Sequence, residues 1–261
     1  KEGPEGAIVQ FGGQTPLNLA EGLGQHGVPI IGTTPADIAR AEDREFFKQA
    51  LERLNLRMAQ AETATSVEEA LEDAEAIGYP VVVKPLSGNH GRGVSINLKT
   101  AEEVEAGFEK AAEHGRSIIV ESYIEGLDHR LLVIDGKLVA AAKRVPGHVV
   151  GDGRHTIEEL VDIVNQDPRR GVGHEKVLTR LEFDHQAERL LKKLGYDRTT
   201  VPPDGEIVYL RSTANLSTGG TAIDVTDSIH PDNREMAIRA IKAIGLDIGG
   251  VDFLTRDITE S

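Results

Sequence analysis

The sequence predicts an α/β protein built of α+β lobes, and three observations predict it. Short apolar runs alternate with amphipathic helical stretches along most of the chain. Three of those stretches open on a helix-capping signature: Ser66 with Glu69, Thr100 with Glu103, and Thr156 with Glu159. Between two apolar runs lies Asp135-Gly136, the two-residue signature of a tight β-hairpin.

Taken in order, Ala7 to Phe11 reads as a buried strand, and Gly12-Gly13-Gln14 turns into a helix capped by Thr15 with Pro16 in its first position. Val28 to Ile31 is a short second strand. Pro35 to Leu54 reads as two helical pieces around Glu42-Asp43-Arg44. Ala59 to Thr63 is a strand leading into the helix that Ser66 caps. Val94 to Leu98 and Ser117 to Ser122 are apolar enough for strands, so Ala59 to Ser122 forms a compact unit of strands covered by two helices. His129 to Val145 is the hairpin. Gly147 to Gly153 and Gln166 to Gly173 read as loops, Asp184 to Leu194 and Pro231 to Ile244 as helices, and Glu206 to Arg211 and Ile248 to Thr255 as strands. No internal repeat or low-complexity tract interrupts the pattern.

Composition narrows the function. A chain of 261 residues with mixed charges can bury a sizeable core. Its formal charge of -14 disfavours a nucleic-acid partner, because phosphate-backbone binding needs a concentrated basic surface. The absence of cysteine removes disulfides, thiolate metal sites and cysteine nucleophiles together. No apolar run approaches the length of a membrane span, and KEGPEG has no signal-peptide form, so the cytoplasm is the default location. The first residue is Lys1 rather than methionine, which reads as a fragment.

One stretch carries chemistry. In Tyr79 to Gly93, YPVVVKPLSGNHGRG, a strand ends in Lys84 and opens into a loop with Gly88, Gly91 and Gly93. A rigid strand fixes the lysine, and glycines let backbone N–H groups close over charged oxygens without a Cβ in the way. That order suits a nucleotide triphosphate, with His90 and Arg92 as further contacts from the loop tip. It is not a Walker loop, since the lysine precedes the glycines, and no G-x-G-x-x-G is present. A plain hairpin connection remains the other reading of three closely spaced glycines. His148, His155, His174 and His185 have no metal-ligand spacing, and no Ser-His-Asp arrangement stands out.

Tyr79 to Gly93, VESYIEGLDHRLLVIDGKLV from Val120 and GLDIGGVDFLT from Gly245 together resemble an ATP-grasp ligase. KRVPGHVVGDGRHTIEELVDIVNQDPRRGVGHEKVLTRL and VPPDGEIVYLRSTANLSTGGTAIDVTDSIHP resemble the ATP-grasp region of cyanophycin synthetases. The first third, through GAIVQFGGQTPLNLAEGL and GVPIIGTTPADIARAEDREFFKQALERL, resembles the large subunit of carbamoyl-phosphate synthetase. The two resemblances meet near Gly78 to Pro85, so a chimera or a fragment is expected. The fold implied is an ATP-grasp fold with a partial pre-ATP-grasp, Rossmann-like lobe. Its parts would be residues 1–57 as the leading lobe, 58–125 as the small lid subdomain and 126–261 as the large subdomain.

The resemblance implies ATP and Mg2+ as cofactors and a carboxylate that attacks the γ-phosphate, giving an acyl-phosphate captured by an amine. Lys84 becomes the lysine on the α- and β-phosphates and Arg44 a second phosphate contact. Glu121, Ser122 and Ile124 become the adenine-binding segment, and Asp128 the ribose carboxylate. Arg211 and Lys143, with Arg144 beside it, are the candidates to face the reacting phosphate, and Ser212 to Gly220 could bind a substrate carboxylate through its backbone. Asp252, read as an acid facing inward between apolar neighbours, is the metal candidate. The family's E-x-N motif has no counterpart before Thr259-Glu260-Ser261, and Glu260 does not replace it, which implies an incomplete magnesium site and little or no turnover. The resemblance to cyanophycin synthetases implies a carboxylate-amine ligase that adds aspartate to the main-chain carboxylate of an aspartate-arginine polymer; the alternatives are phosphorylation of bicarbonate or carbamate, which the carbamoyl-phosphate synthetase resemblance implies, and a scaffold that binds ATP without turning it over. Homo-oligomers are common among such ligases.

Overall fold

The computed structural model describes residues 5–11, 14–56, 58–87, 93–173 and 175–261. The chain divides into two compact units, residues 51–125 and residues 1–50 with 126–261.

At the start of the chain the two expected strands reduce to one parallel bridge between Ala7 and Ile30. Pro29 beside it has no N–H to donate, which stops the ladder from extending back toward Glu5. Helix α1 (Gln14–Gln25) begins one residue before the expected cap. Thr15 and Pro16 therefore lie in its first turn, where a missing proline N–H costs nothing because that group has no intrahelical partner. Helix α2 (Pro35–Glu42) is capped by Thr34, whose Oγ1 accepts from Asp37 N at 3.2 Å. Asp43 is extended and breaks the helix, and its Oδ1 accepts from Phe46 N at 3.0 Å in the first turn of α3 (Arg44–Arg53). The expected two helical pieces follow from that break. Val9, Ala20 and Ile38 make a small core with Leu17, Leu23 and Ile30.

The 51–125 unit runs β1 (Ala61–Ala64), α4 (Val67–Ile77), β2 (Val81–Pro85), β3 (Ser95–Leu98), α5 (Ala101–Ala112) and β4 (Ile118–Ser122). Its strands form an antiparallel sheet in the order β1-β4-β2-β3. Val81, Val83, Ile118 and Val120 are buried with Ala70, Ala74, Val104 and Phe108 of the two helices. Alternation then sends Val82, Lys84, Ile119 and Glu121 to the other face. Ser66 and Thr100 cap α4 and α5 as expected. The glutamates reach one residue further back than a capping box requires, Glu69 to Thr65 N at 2.7 Å and Glu103 to Lys99 N at 2.6 Å.

The larger unit continues with β5 (Leu127–Ile134), β6 (Lys137–Val145), β7 (His148–Val150), α6 (Ile157–Asn165), β8 (Arg170–Gly171), β9 (Leu178–Thr179), α7 (His185–Lys193), β10 (Ile207–Tyr209), β11 (Thr221–Asp224), α8 (Pro231–Ile244) and β12 (Ile248–Thr255). The sheet β11-β6-β5-β12 is antiparallel throughout, and Leu131, Val133, Leu138 and Ala141 bury their side chains with Ala237 and Ile241 of α8. Asp135 and Gly136 both have positive φ, 49° and 65°, as the tight hairpin turn requires. The β5–β6 ladder carries one irregularity. Leu132 pairs with Ala140 but Val133 with Leu138, leaving Val139 as an extra residue, a β-bulge.

Part of Gly147 to Gly153, expected as a loop, is β7, which pairs with β10. Val149 and Val208 face each other there, fully buried among Ile157, Leu160, Leu181 and Leu191. Three residues are too few for a period-two pattern to register in sequence. Helix α6 closes a full reciprocal capping box between Thr156 and Glu159. No described helix is long and apolar enough to cross a membrane.

Candidate functional site

In the 51–125 unit, Lys84 and Glu121 stand diagonally across adjacent strands on the helix-free face, because Lys84 pairs with Ile119 and Glu121 with Val82. Their side chains close that diagonal, with Lys84 Nζ 2.5 Å from Glu121 Oε1. A part-buried ammonium held at a fixed point by a carboxylate can meet a polyphosphate, and the carboxylate can accept from a ligand N–H. Ser122 Oγ is engaged with Gln60 N at 3.0 Å, and Ile124 is exposed.

In the larger unit the face of the sheet away from α8 carries a chain of charge. Register places Asp128 opposite Arg144 and Arg130 opposite Asp252. Arg144 Nε donates to Asp128 Oδ1 at 2.7 Å, its Nη2 lies 2.8 Å from Asp252 Oδ1, and Arg130 Nη1 lies 2.7 Å from that same oxygen. Each carboxylate orients a guanidinium, and both guanidinium groups keep further N–H donors for phosphate or carboxylate oxygens.

Asp252 corrects one expectation. Its side chain is 61% exposed rather than inward-facing. Alternation along β12 gives the interior to Val251 and Phe253, which pack with the core under α8, and turns Asp252 to the opposite face. Two guanidinium groups on one oxygen also make a poor hard-cation ligand, since magnesium wants an octahedron of oxygens. Among the described residues no group of three or more acidic, histidine or cysteine side chains could hold a metal ion. The residues present do not by themselves fit a magnesium site.

Lys143 and Arg211 are not brought to the charged face. Lys143 pairs in register with His129, on the α8 side of the sheet. His129 is 1% exposed, and burial pushes its pKa down despite backbone hydrogen bonds at Leu127 and Phe253. Arg211 is 6% exposed, and its guanidinium donates to Thr218 O, Leu210 O, Glu182 O and Asp184 Oδ1. Sequence reasoning missed Arg130. The signal was Asp128 and Arg130 two apart on one strand, hence on one face.

Gly88, Gly91, His90 and Arg92 lie outside the described residues, as does the side chain of Arg44, whose backbone opens α3. Gly93 is described: its φ is +70°, and a Cβ there would meet His114 Cδ2 at 2.7 Å. Glycine is needed at 93 for backbone conformation and close packing.

Residues 43–176 match the family model of the carbamoyl-phosphate synthase L chain ATP-binding domain, and residues 1–40 that of the carbamoyl phosphate synthase preATP-grasp domain. The chain is 52% identical over 255 residues to the cyanophycin synthetase of Trichormus variabilis, which covers 96% of this chain and 28% of that protein. One alignment thus crosses the point where the two resemblances meet. The glutathione biosynthesis bifunctional protein of Clostridium perfringens is 36% identical over 84% of this chain and 28% of its own length. Among solved structures, a bifunctional glutathione synthetase from Pasteurella multocida superposes with a TM-score of 0.65 at 30% identity, over 88% of this chain and 31% of that one. A D-alanine–D-alanine ligase from Bacillus anthracis gives 0.54 at 16% identity over 92% of this chain and 60% of its own, a likeness of fold. The chain spans little more than a quarter of the cyanophycin synthetases it matches.

Proposed function

Because the chain belongs to the family of the carbamoyl-phosphate synthase L chain ATP-binding domain, we propose that it is the ATP-using part of a carboxylate-amine ligase. The bond formed joins aspartate to the main-chain carboxylate of an aspartate-arginine polymer, as in the cyanophycin synthetases. The observation that carries this reading is the 52% identity to one of them along 96% of the chain.

The chemistry is charge management. A carboxylate oxygen attacks the γ-phosphorus of ATP, the bond to the bridging oxygen breaks, and ADP leaves. The aspartate amine then attacks the acyl carbon, inorganic phosphate departs with the bonding pair, and the amine loses a proton. Lys84, oriented by Glu121, supplies a cation to the phosphates. Gly88, Gly91 and Gly93 cover them, and Arg44 adds a contact. Glu121, Ser122 and Ile124 take the adenine and Asp128 the ribose. Arg144 and Arg130, aligned by Asp128 and Asp252, meet the oxygens where charge accumulates. Ser212 to Gly220 takes the acceptor carboxylate. ATP use comes with the family; magnesium dependence, a homo-oligomer and a cytoplasmic location are the finer expectations.

The deciding experiment mixes the protein with ATP and a short aspartate-arginine peptide, with and without aspartate, and follows ADP release and peptide mass. Aspartate-dependent ADP release with one added residue supports the reading. The matches to carbamoyl-phosphate synthase domains favour a second reading, phosphorylation of bicarbonate or carbamate. ADP release that follows bicarbonate and ignores peptide would select it, and ATP binding without ADP release would leave a scaffold.

A further inference from the structure

The segment Ser212 to Gly220 is gripped by two guanidinium groups that come from different parts of the larger unit. Arg211 Nε donates to Thr218 O at 3.0 Å, and Arg170 Nη1 donates to the next carbonyl, Gly219 O, at 3.1 Å. The same two arginines reach to either side of Leu181. Arg170 Nη1 donates to Thr179 O at 2.6 Å, and Arg211 Nη2 donates to Glu182 O at 3.1 Å. Leu181 itself is fixed from α6, since Asn165 Nδ2 donates to Leu181 O at 3.0 Å while Asn165 Oδ1 accepts from Leu181 N at 2.8 Å.

Packing closes the same clamp. A Cβ at Gly219, where φ is +97°, would meet Leu181 Cδ2 at 2.7 Å. At Gly220 it would meet Asn215 O at 2.7 Å and Val145 O at 2.8 Å. The backbone at 219 and 220 is therefore pressed into the wall that the arginines hold. Asn215 staples the middle of the segment, its Oδ1 accepting from Ser217 N at 2.9 Å and from Ser217 Oγ at 2.8 Å. What stays open to solvent is the edge formed by Ser212, Thr213 and Asn215.

We propose that Arg170 and Arg211 are positioning residues that clamp consecutive carbonyls of this segment, presetting its exposed Ser212–Asn215 edge to receive the carboxylate of the acceptor. The inference rests on the ligase reading and deepens it. A loop whose shape is fixed before binding loses less conformational freedom when the ligand arrives, so affinity depends on residues that never touch the ligand. Arginine suits the task, because one planar fork holds carbonyls from two different segments. Arg211 is buried and Arg170 half-buried, and both side chains shape the loop and leave the γ-phosphate to the charged face.

The test uses calorimetric titration of the intact protein with a short aspartate-arginine peptide bearing a free main-chain carboxylate, and with the same peptide amidated at that end. Amide hydrogen exchange and ATP affinity are measured alongside, in wild type, Arg170→Gln and Arg170→Lys. Wild type is expected to prefer the free carboxylate. Arg170→Gln is expected to weaken that peptide by about tenfold and to speed exchange across residues 212–220 by about tenfold, with β5 and β6 and the ATP affinity unchanged. Arg170→Lys should recover part of both losses, and it carries the test if the glutamine variant does not fold. Faster exchange with unchanged peptide affinity would overturn the positioning role, and unchanged exchange would overturn the clamp. Equal binding of the two peptides by wild type overturns the acceptor assignment. Absence of ATP binding counts against the ligase reading, since the exchange signature needs no nucleotide.

Discussion

Lys143 and Arg144, consecutive in the chain, stand on opposite faces of the large sheet: Lys143 pairs with His129 on the α8 side, and Arg144 pairs with Asp128 on the charged side. Two adjacent cations that look interchangeable in sequence are therefore not alternatives for one task. Arg144→Ala is expected to lower ATP-dependent turnover by at least about tenfold, while Lys143→Ala changes it by less than about twofold. Steady-state ADP release from the two variants checks this, and equal losses would show that the sheet faces do not divide the chemistry.

Lys84 stands on the face of β2 opposite the buried Val81 and Val83, so its ammonium can be removed without disturbing the core. Lys84→Ala is expected to weaken ATP binding at least tenfold, on the order of 1.4 kcal/mol. Titration calorimetry reads the change directly, and an unaltered affinity removes Lys84 from the site.

Asp252 holds two arginines yet is mostly exposed, and exposed ion pairs contribute about 0–1 kcal/mol each. Asp252→Asn should therefore leave the urea midpoint nearly unchanged while weakening nucleotide binding, because Arg130 and Arg144 lose their alignment. Measuring ATP affinity with and without magnesium in the same variant separates two roles. Loss in both conditions indicates alignment of the arginines, and loss confined to the magnesium arm indicates a metal contact.

Burial lowers the pKa of His129 below the ordinary value of about 6.5, so folding favours the uncharged imidazole. The unfolded chain binds that proton more readily. The stability His129 contributes is present above the unfolded pKa and is lost as pH falls through the folded one. Wild type should lose more stability between neutral and mildly acidic pH than His129→Gln, compared by urea unfolding at each pH. Parallel losses would mean that His129 does not set the acid limb.

Much of this was legible in the sequence because it is local. The caps at Ser66, Thr100 and Thr156, the Asp135-Gly136 turn and the spans of α8 and β12 each follow from residues a few positions apart. The ATP-grasp fold came from resemblance, and the family match bears it out. What sequence could not supply is pairing. The bond from Arg144 to Asp252 joins residues 108 apart, and the one from Arg130 to Asp252 joins residues 122 apart. No periodicity within β12 announces them, which is why Arg130 went unread and Asp252 was turned the wrong way. The surroundings of Arg211 are non-local in the same way. A cation ending a strand looks available until the carbonyls of Thr218 and Glu182 arrive from other segments.

The bulge at Val139 decides more than the curvature of a hairpin. Leu138 faces α8, Val139 and Ala140 both lie away from the buried side, and Ala141 returns to it, so one residue resets the phase of everything downstream on β6. Strict alternation counted through Val139 would hand the place of Arg144 to Lys143, and the bulge is what prevents it. Excising Val139 would instead let Ala140 follow Leu138 directly, so the ladder would run without interruption and Lys143 and Arg144 would keep the partners and faces they have now. A relative lacking that codon would straighten its hairpin and keep the charged face intact, because the bulge absorbs one residue without passing a change of face to the cations beyond it.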